Sequence, residues 1–406
     1  MTSSIGPRAV LVSIFLLLGP ACSSDSSQDE PEGGSSGGIG STSGNETSGS
    51  GVGSSSGLPG TSGSDSSGTP DASSSGGDSS GEAPDLSPYQ PIVDSIDTPG
   101  AQVAVIEPDG DVWFGVGGDA AQGEPMTTDH RLLIGSNTKT WTAAVTLMLV
   151  DEGELSLDDA ASTWVDTLDP AITIRDLLQH TSGLGEYFEH PDMKGHGGDP
   201  WAPADLIALG QGVRDDGPGA SVYSNTNYIA LGLVLEAIEE QPYAEVIQTR
   251  LFEPLELGDS GVVTDSFPED LALGDGGALG VVTPEHPSVG WAAGAGYSTA
   301  EDLAEFYRAM LAGELYSDAL LQQQLDDVPS DLGFGQPGVT EAYGLGLMMV
   351  GVGGQELTGH LGSLTGFHGW GLRDDVSGGL VVVLTNNSEV TSVGAVLEAL
   401  AVAAEE

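Results

Sequence analysis

The sequence predicts an α+β fold, in which an antiparallel sheet is built from both ends of the folded chain around an inserted helical region. Three observations carry this. Alternating apolar runs at Gln102–Glu107 and Asp111–Gly117 flank Pro108-Asp109-Gly110, a hairpin pattern. Further strand-like runs gather near the other end, at Tyr343–Val352, Gln355–Gly359, Thr365–Leu372 and Gly379–Asn386. Between the two groups the chain reads mainly as helix.

The elements follow in order. From about Ser136 to Glu152 a long helix is apolar on nearly all sides and is stopped by Gly153. Such a helix is buried within a protein. Residues 155–290 hold shorter helical pieces broken by Gly- and Pro-rich loops, among them the apolar helix Tyr228–Ile238. Helices are expected at about 299–313 and 317–326, and a last one at about Ser392–Glu405. No internal repeat is present.

The N-terminal part is different in kind. Arg8, an apolar run from Ala9 to Leu18, and Gly19-Pro20-Ala21-Cys22 read as a lipoprotein-type signal over residues 1–22, with Gly19 where Leu is usual. The apolar run is too short to span a bilayer. Cys22, the single cysteine of the chain, stands where a lipid would attach. Residues 23–86 are Ser, Gly, Asp and Pro with scarcely any large apolar side chain, and are expected to form a disordered tether. Its r.m.s. span would be about 45 Å by the Gly/Ser coil rule. Two G-x-S-x-G matches, Gly33–Gly37 and Gly53–Gly57, fall in this tether. Neither follows a strand or opens a helix, so both are accidents of composition. The folded part is then 87–406, with a helical lobe at about 155–295.

Composition removes whole classes of function. The 406 residues include 61 acids and 9 bases, a formal charge of −52. Nothing in that balance could neutralise phosphates, so no nucleic-acid partner is expected. One Cys excludes an intramolecular disulfide framework and a Cys-cluster zinc site. The chemistry falls to hydroxyls, His, carboxylates and two lysines, Lys139 and Lys194.

Ser136-Asn137-Thr138-Lys139 opens the buried helix, and the i, i+3 spacing puts Ser136 and Lys139 on one face. A lysine there loses hydration, its pKa falls, and a neutral amine can accept the serine proton. The Ser136 N–H at the helix start suits an oxyanion. Taken alone, S-x-x-K also fits a capping Ser and a chance Lys; its place at the head of the most buried helix lifts it. Tyr223-Ser224-Asn225 lies in a polar loop before the helix at Tyr228. It can cap that helix through Asn225 or Asn227, or present a proton relay and an amide to the serine. His360-Leu361-Gly362-Ser363 sits between strand-like runs, where Gly362 allows close approach of a ligand and the Ser363 N–H can be a second oxyanion donor.

In this order the three motifs resemble the serine β-lactamase and penicillin-binding superfamily, in its class C β-lactamase-like branch, with the Streptomyces-type D-alanyl-D-alanine carboxypeptidases nearest. The likeness extends to Ile134-Gly135-Ser136, Leu149–Gly153, Gln179–Leu184, Tyr223–Tyr228, Phe252–Leu255 and Tyr343–Leu347. It implies a five-stranded antiparallel sheet flanked by helices, an all-helical lobe, and a cleft between them. Carried over, Ser136 is the nucleophile, and Lys139 and Tyr223 share the acid/base work. Asn225 touches the substrate carbonyl or Lys139, and His360 replaces the usual Lys. The N–H groups of Ser136 and Ser363 form the oxyanion hole. Gly362 and Trp370 line the cleft. No cofactor is implied.

The resemblance implies a cell-envelope hydrolase of amide or ester bonds, exported and lipid-anchored in a bacterium, monomeric, acting on a small peptide, β-lactam or ester. Met348 and Leu361 stand where the carboxypeptidases place an Arg and a Thr to hold a substrate carboxylate. Neither side chain can replace them, which raises the case for a neutral ester or amide. A penicillin-binding module without turnover and a surface protein with a retired site are the other readings. A metal is not expected: His190 and His196, with Glu186, Glu189 and Asp192 in the same loop, show no standard ligand spacing. His180 is read as capping local structure, and Trp141 and Trp291 as packing residues.

Overall fold

The two ends of the folded chain meet in one sheet. Strand β1 (Gly100–Ile106) pairs antiparallel with β2 (Val112–Ala121) on one side and with β11 (Leu380–Thr385), near the C-terminus, on the other. The computed structural model describes residues 88–404, except 214–216, 220, 278–279, 330–338, 353 and 390–391. The signal, Cys22 and the tether lie outside the described residues.

Beyond β11 the sheet continues through β10 (Phe367–Asp374), β9 (Gln355–Leu364), β8 (Met348–Val352) and β7 (Val339–Tyr343), and beyond β2 lies the two-residue β3 (Glu124–Pro125). The order β3-β2-β1-β11-β10-β9-β8-β7 makes eight strands, not five. Two local differences from the sequence expectation stand out. The run 343–352 is not one strand: the chain reverses at Gly344–Leu347, with Gly346 at a φ of 88° that favours glycine. The run His360–Ser363 is not a connection: β9 passes straight through it.

All residues of β1 and β11 are buried, because helices cover both faces of the sheet. On one face Gln102 accepts from Ala300 N at the start of a helix spanning Ala300–Leu311. On the other, Gly117, paired with Ala101, backs onto Val93 of the N-terminal helix Gln90–Ser95, which packs with the C-terminal helix Val393–Ala403. A strand covered on both sides reads as a continuous apolar run.

The long central helix spans Thr138–Glu152 and ends at Gly153, whose φ is 80°. Every residue from Thr138 to Leu147 is buried. The chain between it and the Ala300 helix carries the helices Pro203–Val213, Asn225–Glu239 and Pro287–Gly294. It is not wholly helical: β5 (Gly261–Val262) pairs with β6 (Gly296–Ser298), which pairs with β4 (Leu132–Leu133) just before the central helix. This small sheet ties the inserted region to the chain that leads into Ser136.

Candidate active site

Ser136 lies in a single 3-10 turn, Gly135–Asn137, that feeds the central helix. Gly135 adopts a φ of 52°, and a Cβ there would stand 2.7 Å from Ser363 N, so the turn presses against the free edge of β9. Asn137 pins it to its neighbours: Nδ2 donates to Ile134 O at 3.1 Å and to Gly369 O of β10 at 3.4 Å, and Oδ1 accepts from the hydroxyl of Tyr307, on the Ala300 helix, at 2.8 Å. Thr138 Oγ1 donates to Gly135 O and accepts from Gly296 N. Ser136 is half-buried while its neighbours Gly135 and Asn137 are buried.

Lys139 is fully buried one turn on. Its Nζ lies 2.9 Å from Ser136 Oγ, 2.6 Å from Asn225 Oδ1 and 2.6 Å from Ala293 O. Burial pulls its pKa down to about 7, and Glu186 pulls it back up. Asn225 and Ala293 offer only acceptors, so they take two N–H bonds. The third direction faces Ser136, and in the neutral amine it is a lone pair able to receive the hydroxyl proton. The Tyr223 hydroxyl is hydrogen bonded to Ser136, and burial pushes its pKa up, so at rest it is a phenol. Nζ stands 5.0 Å from the centroid of the Tyr223 ring.

The Tyr223 loop is set by the helix Asn225–Glu239. Its N-cap is Ser224, whose hydroxyl accepts from Thr226 N, rather than Asn225 or Asn227. That releases Asn225: Oδ1 meets Lys139, while Nδ2 and the backbone N donate to Glu186 Oε2 at 2.9 and 2.7 Å. The contact expected between Asn225 and Lys139 is present. Burial raises the pKa of Glu186, and the donors of Asn225 and Phe188 and the charge of Lys139 act against it. His180, at a φ of 57°, accepts through Nδ1 from Ser224 N and Asn227 Nδ2, and its ring centroid lies 4.4 Å from that of Tyr223.

His360 is buried on β9. Its Nδ1 lies 2.5 Å from Leu361 O, so that nitrogen carries a proton, and Nε2 lies 3.0 Å from the Tyr343 hydroxyl, which donates to the Tyr228 hydroxyl. Burial, helped by the charge of Lys139, drives its pKa down to about 3, so the imidazole is neutral and does not take over a cation's task. Gly362 is required by space: a Cβ there would meet Ile134 O at 1.8 Å.

Trp370 does not line the cleft. Gly369 and Gly371 face Asn137 and Tyr307 on the Ser136 side, so strand alternation turns Trp370 to the opposite face, where it is 1% exposed. Met348 is buried and Leu361 half-buried, and neither brings a polar group to the site. The described arginines are committed elsewhere: Arg131, Arg175, Arg250, Arg308 and Arg373 each pair with acids. The loop of His190 and His196 does not gather ligands. His196 Nδ1 pairs with Asp199 at 2.7 Å, His190 Nδ1 accepts from Asp192 N, and Glu186 faces the lysine instead.

Sequence reasoning missed Glu186 as a site residue, the Ala293 carbonyl, and Tyr343 as the partner of His360. Glu186 had one signal, an acid two residues beyond the Gln179–Leu184 block. The other two had none in side-chain chemistry: one is a backbone group, the other stood in a matched block without a role.

The family described as Beta-lactamase matches residues 89–405. The D-aminopeptidase of Brucella anthropi is 30% identical over 288 residues, which cover 66% of this chain and 52% of that protein. A putative penicillin-binding protein, PbpX of Bacillus subtilis (strain 168), is 25% identical over 233 residues, covering 55% and 54%. The chain thus spans about half the length of these curated relatives. Among solved structures, a D-stereospecific amidohydrolase from Streptomyces sp. superposes with a TM-score of 0.68 at 30% identity, over 78% of this chain and 98% of that one. The D-amino acid amidase of Ochrobactrum anthropi SV3, complexed with D-phenylalanine, gives 0.69 at 26%, over 77% and 98%.

Proposed function

The chain belongs to the beta-lactamase family, and from that premise we propose that it is a serine hydrolase that cleaves a small amide or ester through an acyl-enzyme on Ser136. The observation that carries the reading is the commitment of Lys139 Nζ to Asn225 Oδ1 and Ala293 O, which leaves its third direction for Ser136. In the first half of the cycle, neutral Lys139 takes the hydroxyl proton as Oγ attacks the carbonyl. The oxyanion is held by the N–H groups of Ser136 and Ser363. Tyr223 gives its proton to the leaving nitrogen or oxygen and regains one from Lys139. Water then enters, loses a proton to the same pair, and releases the acid and free Ser136.

A neutral or cationic acyl donor fits better than an anionic one. Lys139 is the basic side chain at the site among the described residues, and it is used for chemistry. His360 is neutral, and the positions compared for a carboxylate clamp carry Met348 and Leu361. The likeness to proteins named D-aminopeptidase and D-amino acid amidase supports an aminoacyl amide over a penicillin. An esterase named EstB from Burkholderia gladioli, 30% identical over 168 residues, supports ester cleavage as a second activity of the same site. The leader and Cys22 are part of this proposal: a lipid on Cys22 and the tether of 23–86 would hold a monomeric enzyme off a bacterial envelope surface. No helix among the described residues is long and apolar enough to cross a membrane.

The test is hydrolysis of p-nitrophenyl acetate and of alanine p-nitroanilides by the purified protein beside Ser136→Ala. Turnover by the wild type alone is expected. Equal rates in the two proteins would remove Ser136 as nucleophile.

A further inference from the structure

Tyr223 works from a loop: it belongs to no helix or strand, yet its hydroxyl is hydrogen bonded to Ser136. His180 holds that loop on both sides of the tyrosine. Its carbonyl accepts from Val222 N at 2.9 Å, and its Nδ1 accepts from Ser224 N at 3.2 Å. Between these two bonds its ring packs on that of Tyr223, with the centroids 4.4 Å apart and the planes at 38°. The residues before, at and after position 223 thus all meet one residue.

The clamp has a defined protonation state. Asn227 Oδ1 accepts from Ser182 Oγ, which turns Nδ2 toward His180 Nδ1. With two donors facing Nδ1, the ring proton sits on Nε2. Burial, with the charges of Lys139 and His360, pushes the pKa well below the usual histidine value. The ring therefore stays neutral, and Nδ1 stays an acceptor, while Lys139 titrates at about 7. The rings of Tyr343 and Tyr228 also pack on it, at 4.5 and 5.2 Å between centroids, and their hydroxyls are hydrogen bonded to each other. His180 keeps this place at a φ of 57°, and its Nε2 is buried without a partner among the described residues. Both features are unfavourable for a residue that only fills space, and a strained residue persists where its surroundings fix it for a site.

We propose that His180 is a positioning residue for Tyr223, holding the phenol where the leaving group departs and so governing the proton-donating half of acylation. Activation of Ser136 stays with Lys139. The inference rests on the reading of Tyr223 as proton donor to the leaving group. An amide nitrogen departs only when it is protonated, whereas p-nitrophenolate leaves as a stable anion. A phenol that is out of place therefore slows amides and largely spares activated esters.

The experiment uses the full chain and two substrates with one acyl group, alanine p-nitroanilide and alanine p-nitrophenyl ester. It measures kcat/KM, which covers the steps up to acylation. His180→Gly removes the ring and Nδ1, and His180→Asn keeps an acceptor; Gly and Asn both adopt a φ of 57° readily. His180→Gly should lose about 10²-fold on the anilide, the effect of displacing a reacting group by ~1 Å, and no more than about 10-fold on the ester. His180→Asn should fall between the wild type and His180→Gly on the anilide. A merely structural role lowers both substrates together. Should His180→Gly not fold, His180→Asn, which lacks the ring, must by itself lose more on the anilide than on the ester. A second readout needs no turnover: hydrogen exchange of the Ser224 amide should speed up in His180→Gly and slow again in His180→Asn. Equal losses on the two substrates, or unaltered exchange at Ser224, overturns the role of His180. A wild type that cleaves neither substrate, or is matched by Ser136→Ala, overturns the hydrolase reading instead; faster exchange in His180→Gly would then still support His180 as the clamp of the Tyr223 loop.

Discussion

Lys139 Nζ sits 2.9 Å from Ser136 Oγ with its other two donor directions already taken by Asn225 Oδ1 and Ala293 O. The geometry gives a proton acceptor that is aimed before substrate arrives. Burial makes it usable, because an ordinary lysine would hold its proton at neutral pH.

Activity should therefore follow the ionisation of Lys139. Its pKa is lowered to about 7, chiefly by burial. Below that value the amine is charged and cannot accept the Ser136 proton; above it the amine is free. The kcat/KM profile should rise through about pH 7 with one proton lost. His360, driven down to about 3, contributes nothing to that limb. A profile flat from pH 5 to pH 9 would count against Lys139 as base.

The charge of Glu186 raises the lysine's pKa, so neutralising it should move the acid limb to lower pH. Glu186→Gln is the variant. It also leaves either the Phe188 donor or both Asn225 donors without an oxygen, which costs about 1–3 kcal/mol of stability per lost bond by denaturant unfolding. A limb that stays in place while stability falls would reduce Glu186 to a scaffold for Asn225.

Removing the reacting groups should separate their roles. Ser136→Ala abolishes turnover, and Lys139→Ala costs at least about 10² in kcat, the lower range for a positioned acid/base group. Steady-state kinetics on an activated ester checks both. Full activity in either variant ends the assignment.

Much of this was legible in the sequence, and the misses have a common cause. The hairpin, the central helix and the closing strands carry their own periodicity. Ser136, Lys139 and Tyr223 carry their own chemistry. What could not be read depends on which parts of the chain the fold brings together. The sheet has extra strands because β3 is too short to show a period and a reversal at Gly346 divides one apolar run. Trp370 lies near the third motif in sequence, but strand register, invisible there, turns it to the far face. Glu186 becomes a site residue only because the helix starting at Asn225 is laid beside it, and Ala293 contributes a backbone carbonyl that any residue would supply.

Gly362 tests how closely β9 must approach the nucleophile. An added Cβ would fall 1.8 Å from Ile134 O, a backbone atom that cannot move without shifting the Ser136 turn. Gly362→Ala should lose about 1–3 kcal/mol, as for an overpacked core, and most activity. Gly198→Ala meets nothing within 4 Å and should leave both unaltered. Equal behaviour of the two variants, by thermal melting and ester hydrolysis, would show that the strand edge is not held where the structure has it.

Penicillin offers the sharpest contrast with an unblocked amine, since it presents a carboxylate and an acylated amine together. The site offers that carboxylate no free cation: Lys139 is committed, His360 is neutral, and the described arginines are paired with acids. Incubation with benzylpenicillin should leave the intact mass of the wild type unaltered, as for Ser136→Ala, while p-nitrophenyl acetate is consumed under the same conditions. An adduct on the wild type that is absent from Ser136→Ala would confirm the nucleophile. It would also require a carboxylate-binding group, which would move the substrate toward the carboxypeptidase class.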